Sequence, residues 1–235
     1  MVDMEFVERE NEILKSLKRL VEAGYGFIVV GGFAVSALAR HRFSVDCDVV
    51  IPKEKQDQFE RVLEDDGFRK HMERTGFDRT HAGEFMSYKK LINKLPVTID
   101  LLVGSLACRA TDASWSFEYV DKHSAEAIIA GTESSVTCRI PQRELLIAFK
   151  IHSGRRTDVR DVVMLTENSN SDKVLDHLKR GDIEALKNQV KNVISMLNDT
   201  SLVDSLKGVF TLTADVRKQI ERTRKFIDNI LLRLV

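Results

Sequence analysis

Hydrophobic residues follow a helical spacing at the start of the chain and then an alternation of short apolar runs with amphipathic segments. The helical spacing is carried by Val7, Ile13, Leu14, Leu17, Leu20 and Val21, and it ends at Gly24 and Gly26. This pattern predicts an amphipathic helix. The runs that follow predict a strand at GFIVVGG, a helix at FAVSALARH, a strand at VDCDVVIP stopped by Pro52, and a helix at KEKQDQFERVLEDDG.

Farther along, extended patterns come first and helical patterns follow. EFMSYKK, PVTIDLLVG and SSVTCRIP predict strands, residues 105–130 give mixed signals, and Pro141 is predicted to open a helix at RELLIAFKIHSG. After the polar stretch TENSNSD every segment has a helical pattern. We therefore predict a mixed α/β domain over residues 1–166, with a small mixed sheet flanked by helices, and a helical C-terminal region over residues 167–235.

Composition excludes several classes of protein. Of the 235 residues, 43% are hydrophobic and 31% charged, which is typical of a folded globular protein. The 36 Lys and Arg residues balance the 36 Asp and Glu residues, so net charge gives no argument for a nucleic-acid partner. The three cysteines stand singly, and no apolar run approaches the length of a membrane span. We expect a soluble, cytoplasmic protein without a membrane partner.

Three aspartates on predicted strands are the main chemical signal. Asp46 and Asp48 are two residues apart in VDCDVVI, so they face the same side of a strand. Like charges this close repel each other unless a cation lies between them, and carboxylate oxygens suit Mg²⁺ or Mn²⁺. Asp100 interrupts the apolar run TIDLLVG, where a charge is costly unless it is paired. If the two strands are neighbours, the three carboxylates converge on a two-metal site for phosphoryl or nucleotidyl transfer.

Each of these signals also has a plain structural interpretation. Asp-x-Asp pairs occur at capped or salt-bridged strand ends, and Asp100 could pair with an arginine. Gly31 and Gly32 lie between a predicted strand and a predicted helix, where backbone amides can receive a phosphate, but a double glycine is often only a turn.

Further candidates lie outside these strands. The basic segment 40–42 would contact pyrophosphate or nucleic acid, or form a solvated loop. Lys150 follows an apolar stripe and, taken alone, is better interpreted as a surface lysine. The arginines of GRRTDVRD could simply pair with Asp158 and Asp161 at helical spacing.

Three segments follow one another along the chain: GGFAVSALARHRFSVDCDVVI, TIDLLVG and RELLIAFKIHSGRRTDVRDVVML. In this order, over roughly residues 25–165, they resemble the DNA polymerase β-like nucleotidyltransferase superfamily. Within it, they look most like the AbiEii and MenT type of toxin nucleotidyltransferases. The resemblance implies the nucleotidyltransferase fold for residues 1–166.

The resemblance also implies roles for individual residues. Asp46, Asp48 and Asp100 would be catalytic and would ligate Mg²⁺ or Mn²⁺, with Gly31 and Gly32 as the phosphate loop. Lys150 would contact the nucleotide phosphates, and a second acidic motif would lie near the site, formed by Asp158 and Asp161. Many members carry Ser after the second glycine, whereas this chain has Phe33, for which Ser36 is the candidate substitute.

The resulting hypothesis is a metal-dependent enzyme that moves a nucleoside monophosphate from an NTP to a hydroxyl acceptor. RNA or protein is favoured over a small molecule as the acceptor, and the enzyme would be a toxin in a toxin–antitoxin pair. The alternative is a module on the same fold, catalytically lapsed, that binds a nucleotide or a protein. An antitoxin would contact the apolar stripe of the C-terminal helix, unless that stripe packs on its own domain; it is formed by Ile220, Phe226, Ile227, Ile230, Leu231 and Leu234.

Overall fold

The computed structural model describes residues 4–234. The helices are α1 Met4–Glu22, α2 Gly31–Leu38, α3 Gln56–Asp65, α4 Phe117–Lys122, α5 Arg143–Ser153, α6 Arg156–Leu165, α7 Ser171–Leu178, α8 Ile183–Leu197, α9 Leu202–Phe210 and α10 Arg217–Arg233, with a short 3₁₀ helix at Lys53–Lys55. The strands are β1 Ile28–Val30, β2 Asp46–Ile51, β3 Arg69–Arg74, β4 Glu84–Ile92, β5 Leu95–Val103, β6 Ser105–Cys108, β7 Ala113–Ser116, β8 Ser124–Ala130 and β9 Ser135–Pro141.

A seven-stranded mixed sheet forms the centre of the N-terminal half, in the order β3-β4-β5-β2-β1-β9-β8. β2 pairs with β5, and β1 with β9, in parallel, while the pairs β1–β2, β3–β4, β4–β5 and β8–β9 are antiparallel. Along β5, buried and partly exposed residues alternate, because successive side chains point to opposite faces. The predicted α/β class with a mixed sheet flanked by helices is confirmed.

The first helix forms for the reason that its pattern indicates. Its apolar residues recur on one side of the helix and become buried at Val7, Ile13, Leu14, Leu17 and Leu20. The chain then leaves the helix through Gly24, whose φ of 72° lies in the left-handed region that glycine adopts without steric cost.

The structure corrects one local prediction and adds one strand. Pro141 is the last residue of β9 and does not open a helix; α5 begins at Arg143, after Gln142 as N-cap. β3 was not predicted, because all six of its residues are exposed, so RKHMER has no alternation of apolar and polar positions.

The chain divides into two compact units. The first comprises the described residues up to Ala37, Phe43–Ala107 and Ser114–Pro141; the second comprises Leu38–Arg42, Cys108–Ala113 and the described residues from Gln142 on. Helices α5 and α6 therefore belong to the same compact unit as the C-terminal helices. The domain boundary proposed at residue 166 stays a prediction.

Within the second unit, α10 packs against α6, α7 and α8. Ile227, Ile230 and Leu234 of its apolar stripe are buried. This packing favours the interpretation in which the stripe is covered by the protein's own helices. Within residues 4–234 there is no helix with the length and apolar character needed to span a membrane.

Candidate active site

The three aspartates lie side by side on one face of the sheet. β2 and β5 are neighbours, and Asp48 is directly paired with Asp100 in the parallel register. Asp46, two residues earlier on β2, shares the face of Asp48 and is paired with Thr98. The Thr98 hydroxyl donates a hydrogen bond of 2.7 Å to Asp46 Oδ1. The condition on which the sequence argument depended, that the two strands are neighbours, is thus met.

Asp100 carries an electrostatic cost at this position. Burial raises its pKa to about 6, the hydrogen bond from Ser87 opposes that rise, and the charges of Asp48 and Asp46 add to it. Its Oδ1 atom is buried and has no hydrogen-bond partner. A buried carboxylate oxygen without a partner, beside two further carboxylates, is a position that a cation would stabilise.

These residues fit a divalent ion by the chemistry of their donors. Carboxylate oxygens are what Mg²⁺ and Mn²⁺ bind, and an ion here would both partner Asp100 Oδ1 and offset the charge of Asp48. Across residues 4–234, no group of three or more acidic, histidine or cysteine side chains is already arranged to hold a metal ion. Metal ligation by Asp46, Asp48 and Asp100 therefore stays a prediction.

The junction between β1 and α2 lies directly against this cluster. Gly31 is the first residue of α2 and has a φ of 64°. A Cβ atom at this position would collide with the Asp48 carboxylate, so only glycine leaves room for the acidic side chain. Gly32 and Phe33 are buried, and Ser36 is half-buried one turn later. The phosphate role of Gly31, Gly32 and Ser36 remains a prediction.

The other predicted site residues meet in the second unit, on α5 and α6. Lys150 Nζ lies 2.9 Å from Asp158 Oδ1 and 2.8 Å from Asp161 Oδ2. Arg42 makes two contacts of 3.1 Å with the Asp161 carboxylate, and Arg155 Nε lies 2.7 Å from Asp158. Lys150 is 7% exposed, so its interpretation as a surface lysine is wrong.

The pKa shifts of Lys150 and Asp158 are those expected of paired ions. Burial opposes the charge of Lys150, but Asp161 and Asp158 outweigh burial and raise its pKa. Burial likewise acts to raise the pKa of Asp158, yet Lys150 and Arg155 lower it to about 2. The network holds α5 and α6 together, as the structural alternative for this segment suggested. A nucleotide role for Lys150, Asp158 and Asp161 stays a prediction.

The hydroxyl groups that orient the aspartates are not predicted from the sequence. Ser87 hydrogen-bonds to Asp100 from β4, and Thr98 donates to Asp46 from β5. The signal for Thr98 was its spacing of two from Asp100, which places it on the same face. Ser87 had no such signal, because only the pairing of β4 with β5 brings it opposite Asp100.

His152 and Trp115 are core residues. The ring nitrogens of His152 lie 2.7 Å from the Thr111 hydroxyl and 3.0 Å from the Leu178 carbonyl. Burial lowers the pKa of His152 to about 4, so the residue is neutral at pH 7. Trp115 is fully buried and offers no ring surface to a base.

Comparisons with known proteins give fold likenesses at low sequence identity. No protein-family model matches the chain, and no curated protein matches its sequence. JHP933 from Helicobacter pylori aligns with 100% of this chain and 95% of its own, at 17% identity and a TM-score of 0.53. A second H. pylori protein, provisionally described as a nucleotidyltransferase, aligns over 100% of this chain and 97% of its own, at 18% identity and a TM-score of 0.51.

A third structure, the lincosamide antibiotic adenylyltransferase LnuA with lincomycin bound, covers 68% of this chain and 98% of its own at 18% identity, with a TM-score of 0.47. The fold class predicted from the sequence agrees with that of the two H. pylori proteins. A specific likeness to the AbiEii and MenT type is not among these findings.

Proposed function

Starting from a chain with the nucleotidyltransferase fold, we propose that this protein is an enzyme that transfers a nucleoside monophosphate from an NTP to a hydroxyl group and releases pyrophosphate. The observation that carries the proposal is the shared sheet face of Asp46, Asp48 and Asp100, with a buried Asp100 oxygen that has no partner. Strand pairing holds these carboxylates close together, and their mutual repulsion destabilises the fold unless they bind a cation.

Each residue of the cluster has a proposed task. Asp46 and Asp48 would hold both divalent ions, and Asp100 the ion nearest the attacking hydroxyl. Bound as a pair, the ions would stabilise the charge on the attacking and leaving oxygens. Thr98 holds Asp46 in one orientation. At pH 7 Asp100 is mostly ionised, since its pKa is about 6, so its unpartnered oxygen can accept a cation or a proton.

Backbone groups and Lys150 are the candidate phosphate contacts. We assign the triphosphate to Gly31, Gly32 and the first turn of α2, where amide groups face an anion favourably. Ser36 is the candidate hydroxyl ligand in place of the serine that Phe33 replaces. Lys150 is paired with Asp158 and Asp161, so a phosphate would compete with these carboxylates for the ammonium group.

Label transfer tests the proposal. Purified protein is incubated with each α-labelled NTP, Mg²⁺ or Mn²⁺ and a cell extract, and the labelled product is digested separately with RNase and with protease. We expect transfer by the wild type and its loss in Asp48→Asn, with circular dichroism confirming that the variant is folded. Transfer that persists in Asp48→Asn would overturn the assignment of the site.

The digestions also test the acceptor. We favour RNA or protein over a small molecule, and the proposed biological role is that of a toxin restrained by an antitoxin. Loss of label to RNase identifies RNA, loss to protease identifies protein, and label resistant to both excludes these two acceptors.

A second candidate rests on Phe33, which is buried where superfamily members often place a phosphate-binding serine. On this alternative, the protein is a lapsed module that binds a nucleotide or a protein. Calorimetry separates the two, since NTP binding that is independent of metal and accompanied by no turnover would favour the lapsed module.

A further inference from the structure

The sheet face that carries the aspartates continues across β4 to the edge strand β3. Asp48 is paired with Asp100, Asp100 with Ser87, and Ser87 with Met72. Side chains of directly paired residues point to the same face of a sheet. An unbroken row of side chains therefore leads from the proposed catalytic residues to the edge of the sheet.

Two parallel rows widen this surface. In one row, Asp46 of β2 is paired with Thr98 of β5, which is paired with Lys89 of β4. In the other row, Leu102 of β5 is paired with Phe85 of β4, which is paired with Arg74 of β3. We call the part on β3 and β4 the β3–β4 platform; its residues are Met72, Arg74, Phe85, Ser87 and Lys89.

The platform lies on the open side of the sheet. Met72 is 38% exposed, Arg74 is exposed, and Lys89 and Phe85 are half-buried. The other face of β4 and β5 is closed, since Met86, Tyr88, Ile99 and Leu101 are all fully buried.

Charge on the platform is positive. Among residues 4–234, neither Arg74 nor Lys89 forms an ion pair, and the same holds for Arg79 in the loop that follows β3. The acidic neighbours are neutralised elsewhere: Glu73 lies 3.2 Å from Lys70, and Glu84 lies 3.2 Å from Lys53.

Asp78, in the same loop, is also removed from this surface. Its buried carboxylate accepts hydrogen bonds from the hydroxyls of Ser105 and Ser114 and from the backbone amide of Thr80. These hydrogen bonds keep its pKa low although burial acts to raise it, so the carboxylate is satisfied by Thr80 of its own loop and by hydroxyls of β6 and β7. The loop therefore contributes the cation Arg79 without an opposing exposed charge.

Aromatic surface accompanies the cations. The rings of Phe77 and Phe85 lie 5.6 Å apart, and Met72 lies beside Phe85 on the face. Apolar rings flanked by unpaired cations are the combination by which proteins bind single-stranded nucleic acids: bases stack on the rings while phosphates contact Arg and Lys.

We infer that the β3–β4 platform binds a single-stranded nucleic acid whose terminal hydroxyl is presented to Asp100. This inference rests on the proposed function and names the acceptor class. A cationic small molecule would be repelled by Arg74 and Lys89, whereas a polyanion is attracted. Two strand spacings of roughly 4.8 Å separate β3 from β5, which carries Asp100, about the length of three stacked nucleotides at roughly 3.4 Å each.

Binding without turnover tests this inference. Fluorescence anisotropy is measured with labelled single-stranded RNA, single-stranded DNA of the same sequence and the corresponding duplex, in EDTA without NTP. The variant Arg74→Gln/Lys89→Gln is compared with Lys173→Gln/Lys191→Gln, which removes the same charge from exposed positions on α7 and α8. We expect several-fold weaker binding only in the platform variant. The slope of log K against log salt concentration should also become shallower by about 1.4, because two phosphate contacts are lost.

Comparison of RNA with DNA identifies which nucleic acid is bound. Tighter binding of single strands than of the duplex supports stacking of bases on the rings of the platform. Equal affinities of the two double variants, or no binding of any strand by the wild type, would overturn the inference, as would label transfer to protein alone. The binding assay separates this inference from the proposed function: if the platform binds nucleic acid but the wild type shows no nucleotidyl transfer, only the proposed function fails.

Discussion

Asp100 shows how a single residue can be placed at the expense of stability. Strand pairing fixes it beside Asp48, and burial together with the neighbouring carboxylates raises its pKa to about 6. A carboxyl in the unfolded chain titrates near pH 4. Between these two pH values the folded protein keeps a proton that the unfolded chain has lost, so the contribution of Asp100 to stability falls as the pH rises through this range.

We therefore expect Asp100→Asn to be more stable than the wild type at pH 7 in EDTA, on the order of 1–2 kcal/mol after allowance for partial exposure. The gain should shrink as the pH falls from 6.5 to about 4, where wild-type Asp100 becomes neutral. Thermal denaturation of both proteins across this range checks the expectation. A stability difference that does not change with pH would contradict it.

Lys150 is the opposite case, a buried cation that is fully paired. Lys150→Met leaves Asp158 and Asp161 facing each other without their shared partner, and we expect a loss of about 3 kcal/mol in the free energy of unfolding. Urea denaturation measures the loss, with exposed Lys191→Met as the control. Adding Asp158→Asn to the variant should restore part of the stability, and no restoration would argue against charge as the cause.

At the scale of elements, the junction of β1 and α2 determines whether the aspartates have room. The backbone at Gly31 is left-handed, and the space that a Cβ would occupy is filled by Asp48. Gly24 has a similar backbone, with a φ of 72°, but a Cβ there would meet nothing within 4 Å. The two glycines thus share a left-handed backbone and differ in whether a side chain would disturb the candidate site.

This difference gives a matched pair of variants. We expect Gly24→Ala and Gly31→Ala both to lose about 1 kcal/mol from backbone strain. Only Gly31→Ala should also displace Asp48 and lose nucleotidyl transfer by at least tenfold at a metal concentration that saturates the wild type. Equal activity of the two variants would show that the junction does not position the carboxylate.

At the scale of the whole molecule, a divalent ion should act as a stabiliser. Because the ion binds the folded chain alone, a free ion concentration of 100 times the Kd adds about 2.7 kcal/mol to the free energy of unfolding. We expect Mg²⁺ or Mn²⁺ to raise the Tm of the wild type with a concentration dependence, and to leave the Tm of Asp46→Asn/Asp48→Asn nearly unchanged. Calorimetry without NTP makes this measurement independent of turnover, and an equal shift in the double variant would place the ion elsewhere.

The sequence by itself determined the elements whose pattern is local, and the candidate carboxylates. α1, β1, β2 and β5 follow from hydrophobic period and glycine or proline punctuation, and the common face of Asp46 and Asp48 follows from the two-residue repeat of a strand. It also allowed the class of fold to be predicted, because the order of glycine pair, Asp-x-Asp and later aspartate resembles one superfamily.

Only the tertiary structure decided which strands are neighbours and which charges meet. β3 is exposed on every residue, so no pattern marked it, and its place at the sheet edge follows from pairing with β4. The contacts of Ser87 with Asp100 and of Arg42 with Asp161 join residues 13 and 119 positions apart. Such contacts depend on register and packing, which arise from the whole chain and leave no local signal in the sequence.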